Sequence, residues 1–88
     1  MPQALNKGMN YEIYPDKIII MDENQRFEIP ISQINYAFLA LNNIYIEVEP
    51  TKDFEKKCDY YILKTDNLAE LCGCLTELDI DILKLYAY

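Results

Sequence analysis

The sequence predicts an α+β domain in which antiparallel strands come first and one amphipathic helix closes the chain. Three observations carry that expectation. Apolar residues recur at every second position through much of Met9 to Lys64, the period of half-buried strands. Between Asn35 and Glu49, NYAFLALNNIYIEVE, two apolar runs meet at Asn42-Asn43, and Asn tolerates the positive φ of a two-residue hairpin turn. Near Thr65 the apolar spacing lengthens from two to about three and a half, which is helical.

Composition limits the alternatives. A chain of 88 residues makes one domain, and a domain of this size buries roughly two thirds of the surface its unfolded chain exposes. Eight tyrosines supply much of the packing area. The net charge of -7 repels phosphate backbones and anionic lipid, so neither direct nucleic-acid binding nor membrane binding is expected. A protein partner, particularly a basic one, fits better. Cys58, Cys72 and Cys74 form an odd set without framework spacing, and no signal-peptide pattern opens the chain, which suggests a cytoplasmic setting. The longest apolar runs, such as Ile18 to Met21, fall far short of the roughly 20 residues of a membrane span.

In chain order, residues 1–8 (MPQALNKG) lack periodicity and read as a mobile leader, leaving residues 9–88 as the single domain. Met9 to Tyr14 alternates as a strand with Tyr11 and Ile13 on one side, and Pro15-Asp16 makes a turn. Lys17 to Met21 and Arg26 to Ile29 form a hairpin around the polar loop Asp22 to Gln25. Pairing Met21 with Arg26 places Ile18, Ile20, Phe27 and Ile29 inward, and Ile19 and Met21 outward with Glu28 and Arg26. Pro30 lacks an amide donor, so Ile29 to Ile34 should turn a corner.

In the central hairpin an Asn42-Asn43 turn makes Leu41 face Ile44, Leu39 face Ile46 and Ala37 face Val48, all toward the core. The opposite side then carries Tyr36, Phe38, Ala40 and Tyr45 beside Glu47 and Glu49, an aromatic surface edged with carboxylates. Pro50 to Cys58 is the longest polar connection and includes Lys52, Lys56 and Lys57. Asp59 to Lys64 is the sixth strand. Leu68, Leu71, Cys72, Leu75 and Leu78 then form one stripe of a helix from about Asn67 to Leu78, and Asn67 with Glu70 resembles a capping box. The last ten residues, 79–88, either continue the stripe through Ile82 and Leu85 or form a turn and a short strand. The strand is favoured because Asp and Ile are indifferent helix formers.

The phrase Phe27-Glu28-Ile29-Pro30-Ile31-Ser32-Gln33-Ile34, led into by a hairpin and followed by the central hairpin, a Tyr-rich strand and the helix Asn67 to Leu78, resembles small bacterial PH-like domains over about residues 10–78. The resemblance implies a strongly bent sheet capped by the C-terminal helix, and a binding module. This chain shows six strands before the helix where the family has seven, and ten residues after it. Lipid-binding members imply a basic loop between early strands; here Lys17 and Arg26 stand among Asp16, Asp22 and Glu23, and phosphoinositide binding does not carry over.

Chemistry is scarce. The chain has no histidine, one serine (Ser32) and one arginine (Arg26), which removes His-activated nucleophiles and the commonest metal ligand. Gly8 and Gly73 build no phosphate loop. On a helix, Cys72 and Cys74 point about 200° apart and share no metal. Asp79 and Asp81 invite a divalent cation, but solvated carboxylates are common in acidic chains, and no metal or other cofactor is expected.

The sequence therefore points to a non-enzymatic binding or regulatory domain. Its protein-facing residues would be Tyr36, Phe38, Tyr45, Glu47 and Glu49 together with Asp79 and Asp81 of the acidic C-terminal third. The competing account packs the helix or another strand on those rings. Two further classes compete: an acidic inhibitor of phage or immunity type that imitates nucleic-acid charge in a basic groove, and a structural protein that covers the face by homodimerising.

Overall fold

β-branched and aromatic residues alternating with charged ones become strands along most of the chain. The computed structural model describes residues 3–49 and 59–84. Its strands are β1 (Asn6–Lys7), β2 (Tyr11–Ile13), β3 (Lys17–Asp22), β4 (Gln25–Pro30), β5 (Ile34–Ala40), β6 (Asn43–Val48), β7 (Asp59–Leu63) and β8 (Ile82–Lys84), with one helix, α1 (Leu68–Glu77), between the last two. They form two four-stranded sheets, ordered β1-β2-β3-β4 and β7-β6-β5-β8. Every pairing is antiparallel except that of β8 with β5. The sequence reading counted six strands in one sheet. Those six precede the helix, with a short strand favoured after it; the described residues hold seven before and one after, in two sheets, because β1 is too short to show a period.

Local expectations held where residue chemistry was decisive. Met21 pairs with Arg26, and Ile18, Ile20 and Ile29 are buried with Phe27 packed against them. The loop is tighter than expected, since Asp22 pairs with Gln25 and only Glu23 and Asn24 turn. Ile19 faces away from the main core but is only 3% exposed. Glu12 and Glu28 stand across from it in register, and they are tied down by a Tyr14 hydroxyl donating to Glu12 at 2.6 Å and Lys17 Nζ donating to Glu28 at 2.9 Å. The corner at Pro30 is a single 3-10 turn over Ile31–Gln33.

The central hairpin is present with its turn one residue early. Leu41 and Asn42 take the positive φ values, 53° and 64°, so Leu39 pairs with Ile44 and Ala37 with Ile46. Moving the turn by one residue changes each pairing by two, so the faces keep their parity. Ala37, Ile44, Ile46 and Val48 are buried as expected; Leu41 instead sits at the tip, 76% exposed. Asn43 Nδ2 donates to the Leu41 carbonyl at 3.3 Å and supports the tip.

The helix begins at an Asn67 N-cap whose side chain accepts the Glu70 N–H at 3.3 Å. The Asn67 N–H donates to Thr65 Oγ1 at 3.1 Å, the place the capping box assigned to the Glu70 carboxylate. Leu71 and Leu75 are fully buried, and Leu68, Cys72 and Leu78 pack beside them. Asp79 ends the helix at φ 61°. There the Asp79 N–H donates to Thr76 O and the Ile80 N–H to Leu75 O, both at 3.0 Å, the two bonds of a Schellman motif. The turn and short strand favoured for the C-terminal stretch are therefore present through Lys84, and residues 85–88 lie outside the described ones, as does the lysine-bearing connection 50–58. A Cβ on Gly73 would meet nothing within 4 Å. Gly73→Ala is therefore expected to raise stability by about 1 kcal/mol, seen as a higher midpoint in urea denaturation.

The core gathers Tyr11, Ile13 and Ile18 from the first sheet, Ile44, Ile46 and Leu63 from the second, and Leu71 and Leu75 from the helix. One side chain also stitches the sheets together. Asn10 Nδ2 donates to Ile62 O and Asn10 Oδ1 accepts the Lys64 N–H, each at 2.8 Å, while the Met9 N–H donates to Lys64 O at 2.8 Å. Within the stretch 1–8, β1 pairs with β2, and the Gly8 N–H donates to Tyr11 O at 3.0 Å. Tyr11 itself is buried, and its hydroxyl donates to Asn6 Oδ1 at 2.7 Å.

Desolvation is the main cause holding the Tyr11 phenol above its ordinary value of 10.0. A group whose pKa is raised by folding contributes stability that is complete below its unfolded value and lost as pH rises through the folded one. Wild-type stability should fall as pH climbs past 10.0. The fall should be shallower in Tyr11→Phe, measured by urea denaturation across that range. No helix among the described residues is long and apolar enough to cross a membrane.

Candidate binding site on the outer sheet face

Alternation along β5 and β6 sends Ala37, Ile44, Ile46 and Val48 into the core and the residues between them outward. Phe38 is the centre of the outward set. It pairs with Tyr45 on β6 and with Leu83 on β8. Its ring stacks on Tyr45 at 5.1 Å between centroids and 8° between planes, meets Tyr60 edge-on at 5.9 Å and lies 6.3 Å from Tyr36. Offset and edge contacts of this kind are favourable for ring quadrupoles. Together Tyr36, Phe38, Tyr45, Tyr60 and Leu83 line an open groove of about 410 Å³. Tyr60 is 53% and Leu83 47% exposed. The helix packs on the other side of the second sheet, through Leu71 and Leu75, so the rings are not its seat.

The groove brings together three of the expected residues, Tyr36, Phe38 and Tyr45. Glu47 lies on the same outer side, directly across from Tyr36 on β5 and Tyr60 on β7. It is half-buried, and its Oε2 is covered without a hydrogen-bond partner. A carboxylate oxygen in that state lacks a donor that it would have in water. Glu49 is exposed just beyond β6 and borders a separate depression with Arg26 and Gln33. Asp79 and Asp81 are exposed at the helix end and before β8, where the Asp81 carbonyl accepts the Ala37 N–H at 2.8 Å. Neither lines the groove.

Tyr60 and Leu83 are the groove residues that sequence reasoning missed. The alternation of Tyr60 and Ile62 against Tyr61 and Leu63 was visible, but which of the two faces is outward depends on pairing with β6. Tyr61 is the ring turned to the other side, where it meets Phe27 at 5.5 Å. Leu83 carried no local signal, because only the parallel pairing of β8 with β5 sets it beside Phe38.

The arrangement suits binding. Among the described residues no group of three His, Cys, Asp or Glu side chains is placed to hold a metal ion. Cys72 and Cys74 are free thiols, both half-buried on α1. Burial, reinforced by the Glu77 charge, pushes the Cys74 thiol above its ordinary value, which disfavours the reactive thiolate. What the groove offers is aromatic area with Tyr60 and Leu83 exposed, and Glu47 lies beside it in register. No protein-family model matches the chain, and no curated protein is significantly similar to it in sequence.

Proposed function

We propose that this chain is a non-enzymatic binding or regulatory module of the cytoplasm, and that its outer aromatic groove is the surface on which another protein docks. The observation that carries this reading is the apolar groove lined by Tyr36, Phe38, Tyr45, Tyr60 and Leu83, on the side of the second sheet opposite the core. Large rings on an acidic protein are what a protein contact uses, since aromatics give contact area and charges steer the encounter. The net charge of -7 favours a basic partner. A PH-like architecture fits the same reading: seven strands precede the helix among the described residues, four in one sheet and three in the other, the number that the resemblance implies. Free Cys72 and Cys74 agree with a reducing compartment.

Tyr60→Ser with Leu83→Ser is the direct test, because both side chains are largely exposed and their loss costs the core little. Wild-type protein used as bait in an extract of its native host should retain a partner that the double variant loses by more than tenfold, with melting temperatures within a few degrees. Unchanged retention would place the contact elsewhere. The exposure of Tyr60 and Leu83 also supports self-association through the same groove. Sedimentation at two concentrations decides this, since a monomer at both rejects it. An acidic mimic of nucleic acid would instead lose its partner with added salt and be indifferent to the double variant.

A further inference from the structure

We infer that the groove receives the guanidinium of an arginine side chain from a basic protein segment, with Glu47 as its counter-charge; this rests on the protein-binding reading above and specifies the group recognised. Two features of the groove ask for the same ligand. The first is the rings. Phe38 and Tyr60 meet at 77°, so they form two walls of a corner, and the stacked Phe38–Tyr45 pair continues one of them. Ring faces are electronegative and attract a cation within about 6 Å of their centroids. The second is Glu47. It occupies the register position between Tyr36 and Tyr60, and its covered Oε2 has no donor. The rings of the groove attract positive charge, and beside them in register Glu47 holds a covered oxygen that accepts no hydrogen bond.

Among the described residues, no lysine or arginine of this chain lines the groove. Lys17 is engaged with Glu28 on the first sheet at 2.9 Å, and Lys64 and Arg26 border other depressions. A chain of net charge -7 attracts a cation from a basic partner. Guanidinium meets the demands better than the other biological cations. It is planar, stacks on aromatic rings, is weakly hydrated and still carries five donors for the carboxylate. An ammonium is a compact, strongly hydrated point charge that gives up more on entering an apolar groove. A trimethylated lysine satisfies the rings but has no N–H for Glu47. Because Oε2 is covered, a guanidinium reaches it only when a neighbouring side chain moves.

The test is a titration of the full chain, followed by NMR of the Phe38, Tyr45 and Tyr60 ring signals. The probes are a short Gly-Ser peptide carrying two arginines and its counterparts with lysine, trimethyllysine or glutamine in their place. The arginine peptide should shift these signals at concentrations at least fivefold below the lysine peptide, and the glutamine peptide should leave them unmoved. Glu47→Gln should weaken the arginine peptide at least tenfold without lowering the melting temperature, since the amide keeps the shape and removes a charge. Equal responses to all four peptides, a preference for trimethyllysine, or full binding by Glu47→Gln would overturn the assignment, and the peptide ranking on wild-type protein needs no variant. A partner lost on Tyr60→Ser with Leu83→Ser but indifferent to Glu47→Gln would overturn the arginine assignment alone and leave the protein-binding reading standing.

Discussion

Gly8→Ala is expected to destabilise the domain by about 3 kcal/mol, although a single methyl group in the N-terminal stretch of a small protein is usually harmless. A Cβ at this position would run into the Tyr11 ring and come within 2.6 Å of the Lys64 carbonyl oxygen. Neither obstacle yields easily. Tyr11 is completely buried and its hydroxyl is held by Asn6, and the Lys64 carbonyl already accepts the Met9 N–H at 2.8 Å. Relief requires β1 to lift from β2 or the seam between Met9 and Lys64 to open. Urea denaturation of Gly8→Ala beside wild type measures the loss. A change under about 0.5 kcal/mol, the range of ordinary surface substitutions, would mean that this corner is not closely packed. Gly73→Ala, the same chemical change on the open side of α1, is expected to act with the opposite sign.

Asn10→Ala is the second large effect, expected to cost about 2 kcal/mol. The side chain replaces a rung of backbone pairing: it donates to Ile62 O and accepts from the Lys64 N–H, each at 2.8 Å, across a chain separation of more than fifty residues. Truncation leaves one backbone donor and one backbone acceptor to find water. Asn10→Asp should be at least as harmful, because a carboxylate cannot donate to the Ile62 carbonyl. The consequence extends to the site. β7 carries Tyr60 and is the edge strand of its sheet, so loosening the clamp should increase hydrogen exchange at Ile62 and Lys64 and broaden the Tyr60 ring signals. Exchange rates unchanged from wild type would show that the β6 pairing alone holds this strand.

Much of the architecture was legible because period and turn chemistry are local. The Met21–Arg26 register followed from alternation on both arms, the Pro30 corner from a missing donor, and the helix from the stripe beginning at Leu68. The turn of the central hairpin was placed one residue late because Asn42-Asn43 is the better primed-turn dipeptide on residue preference. The structure nevertheless accepts Leu41 at positive φ. The shifted turn lets Leu39 pair with Ile44 and leaves Asn43 free to hydrogen-bond the Leu41 carbonyl, which tertiary pairing can favour over local propensity. Parity survived the shift, and with it the outward placement of Tyr36, Phe38 and Tyr45. The division into two sheets was not legible, since it depends on which strands pair across long chain separations. Two of the five groove residues were hidden for the same reason: Tyr60 and Leu83 reach Phe38 only through pairings with strands distant in sequence.

The account stands on the outer face of β5, β6 and β7 being a contact surface while the inner face holds the fold. Ring-selective NMR of the chain saturated with its captured partner tests this most directly. The expected result is a set of perturbations centred on Tyr36, Phe38, Tyr45, Tyr60 and the Leu83 methyls, with Leu71 and Leu75 unchanged. Perturbations confined to α1 or to the first sheet, with the Phe38 and Tyr45 rings silent, would contradict it.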